Sequence, residues 1–314
     1  MLRRTFLTGA SALAAPALAQ TPFPDRPIRL IIPYAPGGGT DATMRVLTGP
    51  MGEILGQPFV IENRTGGAAI VAQARPDGYT LLADPSAHAL NHALVRHIPF
   101  NYERDFAPIA RMSVMPLILV VGANERAPDL RSYIEWAKAQ GDRISWASAG
   151  LGTASHLSGF LFVQRAGIGG AHVPYRGGSQ GAQAVLAGDT AFNFATAPSA
   201  VGLVQGGQLR ALAVSSATRM ATLPNVPTVA EAALPGFELV EWIGLWAPTG
   251  TPGAVIERVQ DAARRTLAMP EVQQRLAVLG MEAAFQDRDS FAGFLAQQRQ
   301  LLVRLAGDAG LRAE

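Results

Sequence analysis

The 314-residue chain contains no cysteine and a single lysine, Lys138. Without thiols there are no disulfides, no thiol nucleophile and no cysteine-ligated metal. Such a chain suits an oxidising compartment. Only 16% of the residues are charged, which excludes the composition of a disordered or coiled-coil protein. Basic residues number 26 and acidic ones 24, and two of the basic ones, Arg3 and Arg4, stand at the very start. Beyond them the two signs balance. Aromatics make up 7%, and no basic run is interleaved with them, so no nucleic-acid partner is expected. Past the first twenty residues no stretch holds 18 uninterrupted apolar residues, the length a membrane-spanning helix needs.

What is abundant is glycine, 33 residues, and proline, 22. Residues 1–19 read as a signal peptide. Arg3 and Arg4 form its charged start, Phe6 to Leu18 its weakly apolar stretch, and Ala17-Leu18-Ala19 its cleavage site. Arg3-Arg4-Thr5-Phe6-Leu7 also fits a twin-arginine signal, so the export route is Sec or twin-arginine. The expected location is the periplasm.

After the leader, short apolar runs alternate with helical patterns. Strands are predicted at Ile28–Pro33, Phe59–Glu62, Tyr79–Ala83, Met115–Val121, Arg143–Ala147, His172–Tyr175, Thr190–Ala195, Leu209–Val214 and Trp242–Ala247. Helices are predicted between them, and everything after Pro252 reads as helical. This alternation implies βαβ units and a mainly parallel sheet. It divides into two α/β lobes: residues 20–121 plus 244–314 form lobe I, and residues 122–243 form lobe II. Two chain links between two lobes imply a hinge and a ligand cleft.

Two loops repeat one arrangement of strand, glycines and helix start, one per lobe. The first is Tyr34 to Asp41, with Gly37-Gly38-Gly39. The second is Ser148 to His156, with Gly150 and Gly152. Glycine lets a backbone approach a ligand closely, and a helix start offers free N–H groups and a positive dipole end to an anion. Asp41 either caps its helix or receives a ligand ammonium or hydroxyl. Arg176, between a strand and a helix, either pairs with a ligand carboxylate or is a solvated surface residue.

Other chemistries find little support. Gly37, Gly39 and Ala42 match G-x-G-x-x-A, and Glu62 follows at the spacing of a ribose-binding acid. Pro33 and Pro36 crowd that turn, and no lysine follows the glycines, so neither a dinucleotide nor a Walker-type loop is expected. Ser86 and His88 follow the third strand, but no nucleophile elbow surrounds Ser86. An exported hydrolase is the alternative from a different class. The five histidines lack zinc-ligand spacing, so no metal or cofactor is expected.

Several stretches together resemble the extracytoplasmic solute receptors of the tripartite tricarboxylate transporter system, the Bug receptors. They include Tyr34 to Asp41, Ile61-Glu62-Asn63-Arg64, Pro76 to Thr80, Asp105 to Ile109, Gly150 to Leu157, Val173 to Gly177, Pro198-Ser199-Ala200 and Leu223 to Thr228. The resemblance implies a two-lobed type II periplasmic binding protein fold that closes on a small carboxylate: a di- or tricarboxylate, an amino acid or an aromatic acid. It implies a non-enzymatic monomer that delivers its ligand to membrane transporter subunits or signals to a sensor kinase. Carried over, its ligand-binding residues are Tyr34, Gly38, Gly39, Thr40, Asp41, Ser86, His88, Gly152, Thr153 and His156, with Arg176 added from the residues themselves. The resemblance also implies that bridging waters hold part of the ligand carboxylate, which fits the lack of a dedicated cationic clamp. Two departures stand out. The Thr65–Arg75 segment is about five residues short, and Ala191 and Ala195 stand where the family often has an acid.

Overall fold

The computed structural model describes residues 23–94 and 98–308. The signal segment and its cleavage site lie outside them. In chain order the elements are β1 (Ile28–Ile32), α1 (Gly39–Leu55), β2 (Phe59–Asn63), α2 (Gly67–Ala72), β3 (Thr80–Pro85) and α3 (Ala87–Leu94). Then come β4 (Phe106–Gly122), α4 (Leu130–Gln140), β5 (Ser145–Ser148), α5 (Ala154–Ala166), β6 (Ala171–Pro174), α6 (Gly178–Ala187), β7 (Phe192–Thr196) and α7 (Ala197–Gln205). The rest are β8 (Leu209–Val214), α8 (Val229–Ala232), β9 (Val240–Pro248), α9 (Gly253–Leu267), α10 (Pro270–Val278), β10 (Glu282–Gln286) and α11 (Arg288–Asp308).

The strands run in the order β2-β1-β3-β9-β4-β7-β5-β6, with β8 and β10 also paired to β4. β1 is parallel to β2 and β3, and β5 is parallel to β6 and β7. The expected mainly parallel sheet is instead mixed. β4 runs antiparallel to β7, β8, β9 and β10, and β9 runs antiparallel to β3. The reason is that β4 and β9 carry the chain from one lobe to the other and back, and no crossover helix reverses them into a parallel register.

β4 joins the lobes. Phe106 to Pro116 pair with β9, and Leu117 to Gly122 pair with β7 and β8. Proline has no N–H to give a ladder, so Pro116 stands where one set of partners ends. The next N–H, of Leu117, goes to the Ser215 hydroxyl at 2.9 Å. Sheet partners thus change at Pro116/Leu117, five residues ahead of the expected lobe boundary, and β9 pairs in the first sheet from Val240 onward. The apolar run hides this join because it is buried on both faces. Leu117, Leu119 and Val121 enter one core cluster, and Ile118 and Val120 another. Each such side chain contributes about 1.5–3 kcal/mol when buried.

The first half of β4 and the helices α3 and α8 are additions to the expected elements, and the edge strand β10, paired to β4, corrects the expectation that everything after Pro252 is helical. Among the described residues no helix is long and apolar enough to cross a membrane.

Candidate binding cleft

Between the lobes lies a pocket walled by Tyr34, Gly38, Gly39, Thr40 and Asp41 from lobe I, and by Thr153, Ser155, Gly177, Gly178 and Thr196 from lobe II, with Glu241 between them. Four of these residues are helix N-caps: Gly38 for α1, Thr153 for α5, Gly177 for α6 and Thr196 for α7. Only Thr153 caps its helix with its own side chain, accepting from the His156 N–H at 3.3 Å. The starts of α1, α6 and α7 have no side-chain cap. Their free first-turn N–H groups, reduced in α7 by Pro198, which has none, therefore lack the usual intrahelical or capping partner. Among the described residues no cationic side chain lines this pocket.

The lobes meet over the pocket. The Ala35 N–H donates to the Arg176 carbonyl at 3.1 Å. The cavity left is about 30 Å³, enough for a water or two. Even a four-carbon diacid is several times larger than this space. A larger cavity of about 230 Å³ lies elsewhere at the hinge, beside Met115, Met220 and Met281. No helix start opens into it, and its one arginine, Arg219, is paired with Glu231 at 2.9 Å.

Two acids line the pocket, and their surroundings differ. Asp41 accepts from the Gly37 N–H at 2.9 Å and from Arg45 Nε at 2.8 Å. Burial alone would raise its pKa, but Arg45, the Gly37 N–H and Asn63 together hold it below the usual carboxylate range. Asp41 therefore closes its own loop and carries its own counter-charge. Glu241 is buried and has no cation. Its Oε1 accepts from the N–H of Ser86 at 2.9 Å and of Trp242 at 3.0 Å, and the Ala154 N–H also bonds the carboxylate. Burial dominates these bonds and pushes its pKa up to about 7. Tyr34, against the same pocket, is held well above the usual phenol range by burial and by the charges of Asp84, Tyr102 and Glu241.

The structure brings Tyr34, Gly38, Gly39, Thr40, Asp41 and Thr153 to this one pocket. It does not bring the others there. His88 turns into the core, with Nδ1 2.9 Å from Asp84 Oδ2 and its ring stacked 4.0 Å from Trp246. Tyr102 and Phe106 pack edge-on to the same ring at 5.1 and 5.2 Å. Ser86 contributes its backbone N–H to Glu241, not its hydroxyl to the cleft. His156 stacks on His172 at 4.0 Å and accepts the Gly152 N–H at 3.1 Å, so neither Gly152 nor His156 offers that group to a ligand. Burial lowers His156 to about 4, so the ring stays neutral and Nδ1 stays an acceptor. Arg176 is exposed, and its carbonyl rather than its guanidinium takes part, as the latch to Ala35. Ala191 and Ala195 do not line the pocket, nor does the shortened Thr65–Arg75 segment. Of the two acids in the wall, Asp41 comes from α1 and Glu241 from β9.

Sequence reasoning missed Glu241, Gly177, Gly178, Ser155 and Thr196. The signal for Glu241 was a lone acid set against the apolar run Trp242 to Ala247. Glu62, the candidate ribose-binding acid, is taken up by Arg29 at 2.7 Å and Arg64 at 2.9 Å. The close serine–histidine contact, Ser148 Oγ to His172 Nε2 at 2.7 Å, is outside the pocket lining, and Ser148 also receives the Gly150 N–H.

A family model, tripartite tricarboxylate transporter family receptor, matches residues 43–311. The chain belongs to this receptor family. Its relatives include the UPF0065 protein in the tcbD-tcbE intergenic region of Pseudomonas sp. (strain P51), 38% identical over 83% of this chain and 80% of that protein. Protein BugT of Bordetella pertussis is 31% identical over 96% of this chain and 94% of BugT. Among solved structures, periplasmic binding protein BugD superposes with a TM-score of 0.88 at 30% identity, covering 93% of this chain and all of BugD. MatC from Rhodopseudomonas palustris, solved with bound malate, gives 0.83 at 30% identity over 90% of this chain and 99% of MatC. Rpa4515 of the same organism, solved with adipate, gives 0.89 at 27% identity over 93% of this chain and all of that one. The fold is that of a two-lobed periplasmic binding protein. The receptor family binds solutes and is not a family of enzymes, so the hydrolase alternative falls.

Proposed function

We propose that this receptor works as an exported monomer in the periplasm, closes its lobes on one end of a small carboxylate, and presents the closed form to the membrane subunits of a tripartite transporter. The observation that carries this is the convergence of four helix N-termini, three without side-chain caps, on a pocket with no cation. Such ends favour an anion through unpaired N–H groups and dipoles, each worth about 0.3–1 kcal/mol and up to about 2 when partly buried. Malate and adipate in the MatC and Rpa4515 structures support a carboxylate as the class. The family description supports a transporter as the destination.

Capture then follows from the geometry. In the open form the N-termini of α1 and of α5, α6 and α7 lie on separate lobes. A carboxylate bound to one set neutralises it and is then shared with the other as the lobes meet. The Ala35–Arg176 bond and the Ser179 hydroxyl's bond to the Pro36 carbonyl accompany closure. A thermal-shift screen of the mature chain against small mono-, di- and tricarboxylates, amino acids and aromatic acids tests the reading. Ligand at a hundredfold excess over Kd stabilises by about 2.7 kcal/mol, several degrees in melting temperature. Stabilisation by one carboxylate class is expected, and none from any carboxylate overturns it.

A further inference from the structure

Glu241 stands out in the pocket. The surrounding elements supply N–H groups suited to an anion, yet the wall already contains a buried carboxyl group. It receives hydrogen bonds from Ser86, Trp242 and Ala154, and among the described residues no cationic side chain lines the pocket to balance it. Asp41 differs, since Arg45 offsets its charge. An incoming carboxylate meets a like charge at an ionised Glu241 unless the ligand carries a hydrogen to place between the two.

Resting on the receptor reading above, we propose that Glu241 is the specificity-determining residue of the cleft, and that it selects carboxylates bearing a hydroxyl or ammonium donor next to the carboxylate over those with plain methylenes. The donor satisfies the buried carboxyl group, and the carboxylate occupies the helix starts. A ligand without a donor leaves Glu241 facing a like charge or forces it to take up a proton. Glu241 is already held by N–H groups, so the discrimination rests on the two like charges that a ligand without a donor would bring together in a buried site.

The charged and titratable groups around Glu241 leave this logic intact. On the β1–α1 side stand Tyr34, which stays a neutral phenol, and the paired Asp41 and Arg45. Behind Ser86, Asp84 is paired with His88, with Tyr102 against the same imidazole. On α5, burial keeps His156 neutral. Each group is either uncharged or already partnered. Burial also pushes Glu241 up to about 7, so the preference is expected to widen from pH 6, where the carboxyl is mostly protonated, to pH 8, where it is ionised.

The test uses three four-carbon diacids of one shape that differ at C2: malate with a hydroxyl, aspartate with an ammonium, succinate with neither. Titration calorimetry of the mature chain at pH 8 is expected to show malate or aspartate bound about 10- to 100-fold more tightly than succinate. Glu241→Gln, which keeps the side chain's shape, is expected to reduce that ratio to within about threefold and to remove its pH dependence. The wild-type ratio at pH 6 and pH 8 supplies a second readout that needs no variant. Equal binding of all three acids, or a preference that survives intact in E241Q, overturns the proposal and leaves the receptor reading standing. No binding by any of the three overturns this proposal, and the wider carboxylate screen then decides the receptor reading separately.

Discussion

Glu241→Gln also has a consequence for stability that needs no ligand. In the folded chain burial raises this carboxyl from 4.5 to about 7. The folded state therefore holds a proton that the unfolded state releases across that interval. For a raised acid the contribution to stability is present in full below pH 4.5 and is lost as pH rises through about 7. A shift of this size is worth about 3 kcal/mol at 1.36 kcal/mol per unit. Glutamine cannot titrate. The difference in unfolding free energy between variant and wild type should therefore grow by about 3 kcal/mol between pH 4.5 and pH 7.5, in favour of the variant. Every other titrating group cancels in that difference. Urea denaturation of both proteins at four pH values measures it, and thermal melts should show it as a relative gain of roughly 6 °C or more. A difference that stays flat across this range would refute the reasoning, because Glu241 would then be as well solvated in the folded chain as in the unfolded one.

Three further outcomes follow from single contacts. Burial lowers His156 to about 4 and His172 to about 3, so the neutral pair contributes stability above pH 6.5 that is lost as pH falls through those values; His172→Gln, which cannot protonate, should move the acid unfolding midpoint to lower pH, and an unchanged midpoint in an acid titration followed by near-ultraviolet circular dichroism would count against it. A side chain at Gly39 would start 2.7 Å from Met115 Sδ of its own lobe and 3.4 Å from Thr196 Cγ2 of the other; Gly39→Val should weaken carboxylate binding by roughly tenfold or more while melting changes by only a few degrees, as calorimetry and melting on one preparation would show. A Cβ at Gly159 would lie 2.4 Å from Trp146 Cζ3, in the body of a rigid ring; Gly159→Ala should cost about 1–3 kcal/mol in urea denaturation, and a neutral result would mean that the ring can move aside.

The two glycine loops were legible because strand, glycine run and helix start are local features. Gly38, Gly39, Thr40 and Thr153 meet in space as their positions in the chain suggest. What stayed hidden was side-chain direction. His88 and His156 sit beside the cleft in sequence, but each ring has a better partner: Trp246 for one, His172 and the Gly152 N–H for the other. Spacing along a chain does not say which side of a backbone a ring will choose. Glu241 stayed hidden for the opposite reason. A charged residue next to an apolar run reads as the end of a strand, and β9 in fact begins at Val240 and carries Glu241 inside. The halves of β4 were hard to tell apart because Phe106 to Val114 is broken by bulges near Pro108 and Arg111, which interrupt the alternation that marks a strand.

The cleft separates two tasks that a cationic clamp would merge. In the proposed reading anion capture rests on the backbone: the N-termini of α1, α6 and α7 present N–H groups that no side chain of their N-cap residues caps. Each charge-assisted hydrogen bond there is worth about 1.5–3 kcal/mol, so a few of them approach the roughly 8 kcal/mol of micromolar affinity once closure has excluded water. Backbone donors are the same for every carboxylate, and substitution of one loop side chain leaves most of them in place. A site of this kind binds a class, not a compound. Discrimination within the class must come from side chains that interrupt the backbone donors. Asp41 has its charge offset by Arg45, with Oδ2 bound to Arg45 and Gly37 and Oδ1 left without a hydrogen-bond partner among the described residues, and Thr153 is spent on its own helix start. Glu241, held by N–H groups and matched by no cation, keeps a demand that a ligand can meet or fail to meet.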